Sequence, residues 1–297
     1  MYDFPAPYID HDRLFKELLQ NFFQEFVELF FPEHYIHIDF SHLKFLSQEL
    51  FTDIVKGEKR KIDILAETKL KDIDALILIH VEPQSYFQKE FHERMFIYFS
   101  RLYEKYRKPI FPIAIFSYND NKEVSDYLII EIPTFKMVEF RYSQIHLIKM
   151  DWRKFIGSNN PVAATLLSKM GYRREERIQV KLEFLRMISR MELNPAKMEL
   201  LFGFFETYLQ LNEEEEKLMQ EEITRLPEED AKAILRLPNS YFEKGLEQGI
   251  EKGMEKGIEK IVREMYKKGL PEELISELSK LPIEQIREIK QNINDFS

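Results

Sequence analysis

Cysteine is absent from the 297 residues, so the chain holds no disulfide and no thiolate metal site. Any metal it binds must therefore sit on oxygen or imidazole. The same absence fits a reducing cytosol. No stretch comes near the ~20 apolar residues that a membrane-spanning helix needs. The opening Met-Tyr-Asp-Phe-Pro also lacks the basic start and apolar core of a signal peptide. A cytoplasmic protein with no membrane partner is the expectation. An excess of positive charge is missing too: the formal net charge is −9, which argues against a surface that attracts nucleic acid everywhere. By thirds, residues 1 to 100 carry 11 basic and 18 acidic side chains, residues 101 to 200 carry 18 and 12, and the remainder 14 and 22, so only the middle third is net positive. What is present in quantity is core material. With 44% hydrophobic residues, 25 Phe and 14 Tyr, a wholly disordered chain is excluded.

Hydrophobic spacing orders the rest. From Asp10 to Phe31 the apolar residues Leu14, Phe15, Leu18, Leu19, Phe22, Phe23, Phe26, Leu29 and Phe30 recur at helical intervals, and Pro32 closes the run. Three strands are expected next, over Leu43 to Val55 with an irregularity, Lys61 to Glu67, and Ala75 to Glu82. The last is almost continuously apolar, as a strand covered on both faces would be. Lys56-Gly57-Glu58 and Lys71-Asp72 read as the turns between them. A helix over Tyr86 to Arg107 stops before Pro109, and a strand follows over Ile110 to Ser117. Tyr127 to Ile132, Lys136 to Tyr142 and, with a weaker pattern, Ile145 to Met150 read as further strands. After Asp151 the pattern is helical, with segments over Pro161 to Met170, Arg174 to Met191 and Pro195 to Leu211, and shorter ones started by Pro227, Pro271 and Pro282. The expected organisation is an α/β domain over 1–156 with element order αβββαβ and a mixed sheet, a helical domain over 157–240, and a tail over 241–297. The tail carries Gly245, Gly249, Gly253 and Gly257 in a four-residue repeat. Glycine weakens a helix interior by about 1 kcal/mol relative to alanine, so the repeat calls for an offsetting role such as close packing against a second copy of the helix in a homo-oligomer.

One constellation carries chemistry. Lys61-Ile62-Asp63-Ile64-Leu65 sets a carboxylate among apolar strand residues, and the third strand ends His80-Val81-Glu82-Pro83-Gln84. Strand side chains alternate, so Glu82 and Gln84 share a face while Pro83 offers its backbone carbonyl, and Asp63 stands on the neighbouring strand. Two carboxylates and a carbonyl are the donors that Mg²⁺ or Mn²⁺ takes, and such an ion serves phosphodiester hydrolysis.

These segments resemble the recombination-promoting nucleases, also called YhgA-like transposases, of the PD-(D/E)XK nuclease superfamily. The resemblance rests on Asp12-Arg13-Leu14-Phe15-Lys16, Asp63-Ile64-Leu65, Glu82-Pro83-Gln84-Ser85, Arg94-Met95-Phe96-Ile97-Tyr98 and the Gly-repeat tail, and so covers most of the chain. It implies an αβββαβ nuclease core and a DNA endonuclease dependent on Mg²⁺ or Mn²⁺ that acts in DNA recombination. Asp63, Glu82 and the Pro83 carbonyl would hold the metal, and Asp12 or Glu17 on the first helix would add an acid. Most of the superfamily has Lys at the place of Gln84; the amide brings no charge but still holds a water by donating and accepting hydrogen bonds. Arg94 and Tyr98, one helical turn apart, would contact the phosphate.

The same residues have plainer readings. A lone Asp in an apolar strand and a Glu at a strand end are also what a paired structural acid gives. Arg94 lies within reach of Glu90 or Glu93, and a helix tyrosine also packs. Glu49 and Asp53 fall near the expected site. His34, His37, His42, His80 and His92 show no metal-ligand spacing. The alternative to the enzyme is a catalytically inactive nuclease fold that binds DNA or itself through its helical half. The segment from Lys268 to Ile289 faintly resembles a helix-turn-helix, but carries more acid than base.

Overall fold

The computed structural model describes residues 10–46, 50–52, 59–61, 64–71, 73–82, 90–117, 124–237, 257–258, 260–266 and 268–294, with backbone alone at 50–52, 59–61, 76, 78–82, 288 and 290–294. The chain is mixed α/β and divides into two compact units, Met1–Ile234 and Leu235–Ser297. The expected glycine repeat lies outside the described residues except for Gly257.

Helix α1 (His11–Asn21) starts where the Asp10 carboxylate accepts the Arg13 N–H at 3.0 Å, satisfying one of the amides that a helix start leaves without a partner. The single helix expected from Asp10 to Phe31 is two. Phe22 leaves helical geometry at φ −134°, and α2 (Phe23–Phe30) begins after it. Neither Gly nor Pro stands at this break. Its physical reason is tertiary: α1 packs against α7 and α2 against α5, and Phe22 and Phe23 are both buried, so the break turns the apolar stripe toward two different partners. One helical turn, α3 (Pro32–Tyr35), follows.

The main sheet has five strands in the order β1 (Ile38–Phe45), β4 (Ile64–Leu70), β5 (Ile73–Glu82), β6 (Ile110–Phe116) and β9 (Ser143–His146). The first two pairings are antiparallel and the last two parallel. A tight turn joins β4 to β5, with Leu70 opposite Ile73 and Lys71 at φ 47°, in the left-handed region that such turns demand. Parallel β5 and β6 need a crossover, and α4 (Phe91–Tyr106) supplies it. Two hairpins interrupt the series: β2 (Leu50–Thr52) with β3 (Lys59–Lys61), and β7 (Tyr127–Ile132) with β8 (Phe135–Arg141).

This corrects two expected strands. The strand placed at Leu43 to Val55 is β1, which starts at Ile38, and β2, which pairs elsewhere. The strand placed at Lys61 to Glu67 starts at Ile64, and Lys61 belongs to β3. As an edge strand β1 buries few side chains, so its alternation is weak, and the apolar residues of β2 blur its end. Lys56-Gly57-Glu58, Asp72, Glu49 and Asp53 lie outside the described residues.

Strand β6 is buried from Pro112 to Phe116, which means that both of its faces are covered. Ala114 and Phe116 join Phe91, Met95, Tyr98 and Leu102 of α4 and Leu65 of β4 in one apolar cluster. Alternation sends Phe111, Ile113 and Ile115 the other way, where Phe111 meets Phe31 edge to face at 5.2 Å. The sheet is thus held between α4 and the α2–α3 segment.

The later helices are α5 (Pro161–Leu166), α6 (Arg177–Ser189), α7 (Pro195–Tyr208), α8 (Glu213–Arg225) and α9 (Glu228–Leu235). Residues 157–234 fall in the same compact unit as residues 1–156. Asn160 shows how the joint is made: its Oδ1 accepts the Val162 and Ala163 N–H groups at 2.9 and 3.1 Å, capping α5, while its Nδ2 donates to the Glu25 carbonyl of α2 at 2.7 Å. Phe15 packs edge to face on Phe204 at 5.0 Å. In the second unit α10 (residues 260–266), α11 (Glu272–Ser279) and α12 (Ile283–Asn294) bury Val262, Ile275 and Ile286 together.

Candidate functional site

The expected site gathers at one end of the main sheet. Ile64, the first residue of β4, pairs with Ile79 of β5, and Glu82, the last residue of β5, pairs with Phe116 at the end of β6. The start of β4 and the ends of β5 and β6 therefore lie side by side. Asp63, Pro83 and Gln84 are outside the described residues, and Glu82 is described by its backbone. Phe116 is in turn in register with His146 of β9, and the two rings stack at 4.5 Å. The backbone row Glu82, Phe116, His146 thus crosses three strands. His146 Nε2 donates to Gln144 Oε1 at 2.8 Å, and burial, with the nearby Lys149 charge, pushes the imidazole pKa down. Sequence reading did not single out His146, because its neighbours in this row come from parallel pairings across long separations.

Arg94 and Tyr98 do share one face of α4, as their spacing requires, but in unlike surroundings. Tyr98 is 2% exposed, its ring packed in the cluster beneath α4. The Arg94 guanidinium lies over the Phe91 ring, 4.9 Å from its centre. Of the two acids on α1, Glu17 is half-buried and 3.7 Å from Arg13. The charge of Asp12 is felt at Tyr208, whose phenol pKa is pushed up by burial and then by Asp12 and Asp10. Among the described residues no three His, Asp or Glu side chains converge as a metal site. Among them also, no helix is long and apolar enough to cross a membrane.

A second set of polar residues comes together without a motif to mark it. A cavity of about 560 Å³ is lined by residues from positions 148 to 215, among them Lys169, Tyr172, Arg174, Arg177 and Tyr208. Its only signal in the sequence is Lys169 itself, the one charged residue in the run from Pro161 to Met170.

Comparison with models of protein families, with curated proteins and with solved structures returns no match for this chain.

Proposed function

We propose that the chain is a DNA endonuclease dependent on Mg²⁺ or Mn²⁺, with the PD-(D/E)XK core of the recombination-promoting nucleases it resembles. The observation that carries this reading is the strand arrangement: β4 begins one residue after Asp63, β5 ends on Glu82, and the two strands pair side by side next to a parallel β6 reached through α4. Asp63, Glu82 and the Pro83 carbonyl would hold the ion; all three are hard oxygen donors, which fits Mg²⁺ and Mn²⁺. A bound divalent ion supplies charge stabilisation for the phosphate and lowers the pKa of a coordinated water. The chain's own residues do the rest. Gln84 orients the attacking water through its amide, and Arg94 donates to the phosphate oxygens. With its ring in the core, Tyr98 contributes through its hydroxyl or by fixing the Arg94 helix face.

Purified protein is expected to nick plasmid DNA with Mg²⁺ or Mn²⁺, to stop with EDTA, and to lose at least about 100-fold in rate in Asp63→Ala and in Glu82→Ala while remaining folded. Cleavage that persists in both variants overturns the reading. The second reading, an inactive nuclease fold that binds DNA or itself, is favoured by the burial of Tyr98, which gives that residue a packing role independent of phosphate. Calorimetry separates the two: Mn²⁺ affinity that depends on Asp63 belongs to the enzyme, and its absence to the inactive fold.

A further inference from the structure

The cavity beside Lys169 holds more positive charge than its own walls neutralise. Three cationic side chains line it, Lys169, Arg174 and Arg177, against one carboxylate, Glu215. Arg177 takes that carboxylate, its Nε donating to Glu215 at 3.0 Å and its Nη2 to the Gln210 carbonyl at 2.5 Å. Glu215 also accepts the Asn212 N–H at 2.9 Å as part of the cap of α8. Among the described residues no carboxylate forms an ion pair with Lys169 or Arg174, although the Arg174 charge, after Arg177, helps to hold the Glu215 pKa down. Arg174 is exposed at the rim, whereas Lys169 is 7% exposed and its ammonium sits over the Tyr208 ring at 4.5 Å. A cation–π contact offsets only part of the cost of removing an ammonium from water. Burial pushes the Lys169 pKa down to about 8; burial and then the Lys169 charge depress His11, whose Nδ1 is 2.8 Å from the Tyr208 hydroxyl.

The size and lining narrow the ligand. A volume of about 560 Å³ suits a small molecule rather than a polymer. Two cations without an ion-pair partner, one of them buried, match a phosphomonoester, which carries about −1.5 to −2 at neutral pH, better than a single carboxylate. Tyr172, Tyr208, Ile148 and Met170 offer aromatic and apolar wall for the body of such a molecule. We infer that this cavity binds a small phosphomonoester with a flat or apolar body, Lys169 serving as the buried counter-charge and Arg174 as the cation at the entrance.

The test is run with EDTA present so that no metal-dependent site contributes. Calorimetry of the full chain with inorganic phosphate and with adenosine 5′-monophosphate is expected to show saturable binding, tighter for the nucleotide. Lys169→Met should weaken the nucleotide at least about tenfold, and Arg174→Gln, at an exposed position, severalfold. Because the anion favours the charged amine, affinity should fall about tenfold per pH unit as pH rises above 8, and Lys169→Met should abolish that slope. The other titrating groups around the amine do not produce it: Tyr172 and Tyr208 are raised, and Glu215 and His11 are lowered. Asp10 and Asp12 act on the same cluster through Tyr208. Failure of both probes to bind, or unchanged affinity in both Lys169→Met and Arg174→Gln, overturns the inference. Asp63→Ala should leave this binding intact, so the two sites fail or succeed separately.

Discussion

Lys169 and Lys181 stand twelve positions apart in the chain and are both withdrawn from solvent, yet their surroundings are opposite. Lys181, on α6 and 1% exposed, donates to Glu206 of α7 at 3.0 Å and to Glu216 of α8 at 3.1 Å. Its charge fastens three helices to one another. Lys169 has an aromatic ring and an open cavity where Lys181 has two carboxylates. A buried charge with its counter-charges built in is structural. A buried charge facing a cavity leaves its counter-charge to something the cavity admits. The comparison also shows why burial alone is a poor guide to function: the less buried lysine is the one without a carboxylate.

The largest expected effect that tests this contrast is at Lys181. Lys181→Met takes from Glu206 and Glu216 the cation they share, and urea unfolding should show a loss of roughly 3 kcal/mol, toward the low end for a broken buried pair because both carboxylates are partly exposed. Adding Glu206→Gln and Glu216→Gln should recover part of that loss; no recovery would mean that packing, not charge, holds the three helices.

Next in size is the frame of the cavity. Gly171, two residues beyond Lys169, donates its N–H to the Met150 carbonyl at 2.9 Å, and a Cβ there would come within 2.4 Å of the Ile148 carbonyl oxygen. Gly171→Ala must push two backbone segments apart and should destabilise by about 2 to 3 kcal/mol. A thermal midpoint equal to that of the parent would show that the segments part freely.

The smallest effect has the opposite sign. Lys169→Met removes a charge buried without a carboxylate and should stabilise the ligand-free protein by about 2 kcal/mol at pH 7. The folded-state pKa of Lys169, about 8, lies below the ordinary 10.5, so the unfolded chain binds the proton more tightly. The cost of burying the ammonium is therefore fully present below pH 8 and fades as pH rises toward 10.5. The advantage of Lys169→Met should shrink over that window. Tyr172 and Tyr208, whose raised pKa values lower stability above pH 10, are common to both proteins and cancel in the difference. A constant difference from pH 7 to 10 would show that the charge is not the cause.

Local signals carried much of the fold. The run Tyr127 to Ile132 is β7 with the same ends as its alternation indicated, and the helices after Pro161, Pro195, Pro227, Pro271 and Pro282 start where proline permits a start but not a continuation. Where two partners compete for one segment, local pattern failed. The stripe from Leu14 to Phe30 is periodic throughout, and nothing in it marks Phe22, because the break answers to α5 and α7 more than 130 positions away. At the candidate nuclease site the spacing of Arg94 and Tyr98 correctly put both on one face of α4. It could not tell that the tyrosine ring would go into the core, which depends on Phe140 and Tyr142 arriving from β8 and the segment after it.

By itself the sequence determined most of the segments, and that oxygen and imidazole are the donors available to a metal. These follow from period and residue type, which act over a few positions. Only the tertiary structure decided which charges find partners. Lys169 and Lys181 read alike as lysines beside apolar residues, and the difference arises because α7 and α8 bring Glu206 and Glu216 to one and Tyr208 to the other. Electrostatic pairing is a matter of distance in space, and chain position sets that distance only after the helices have packed.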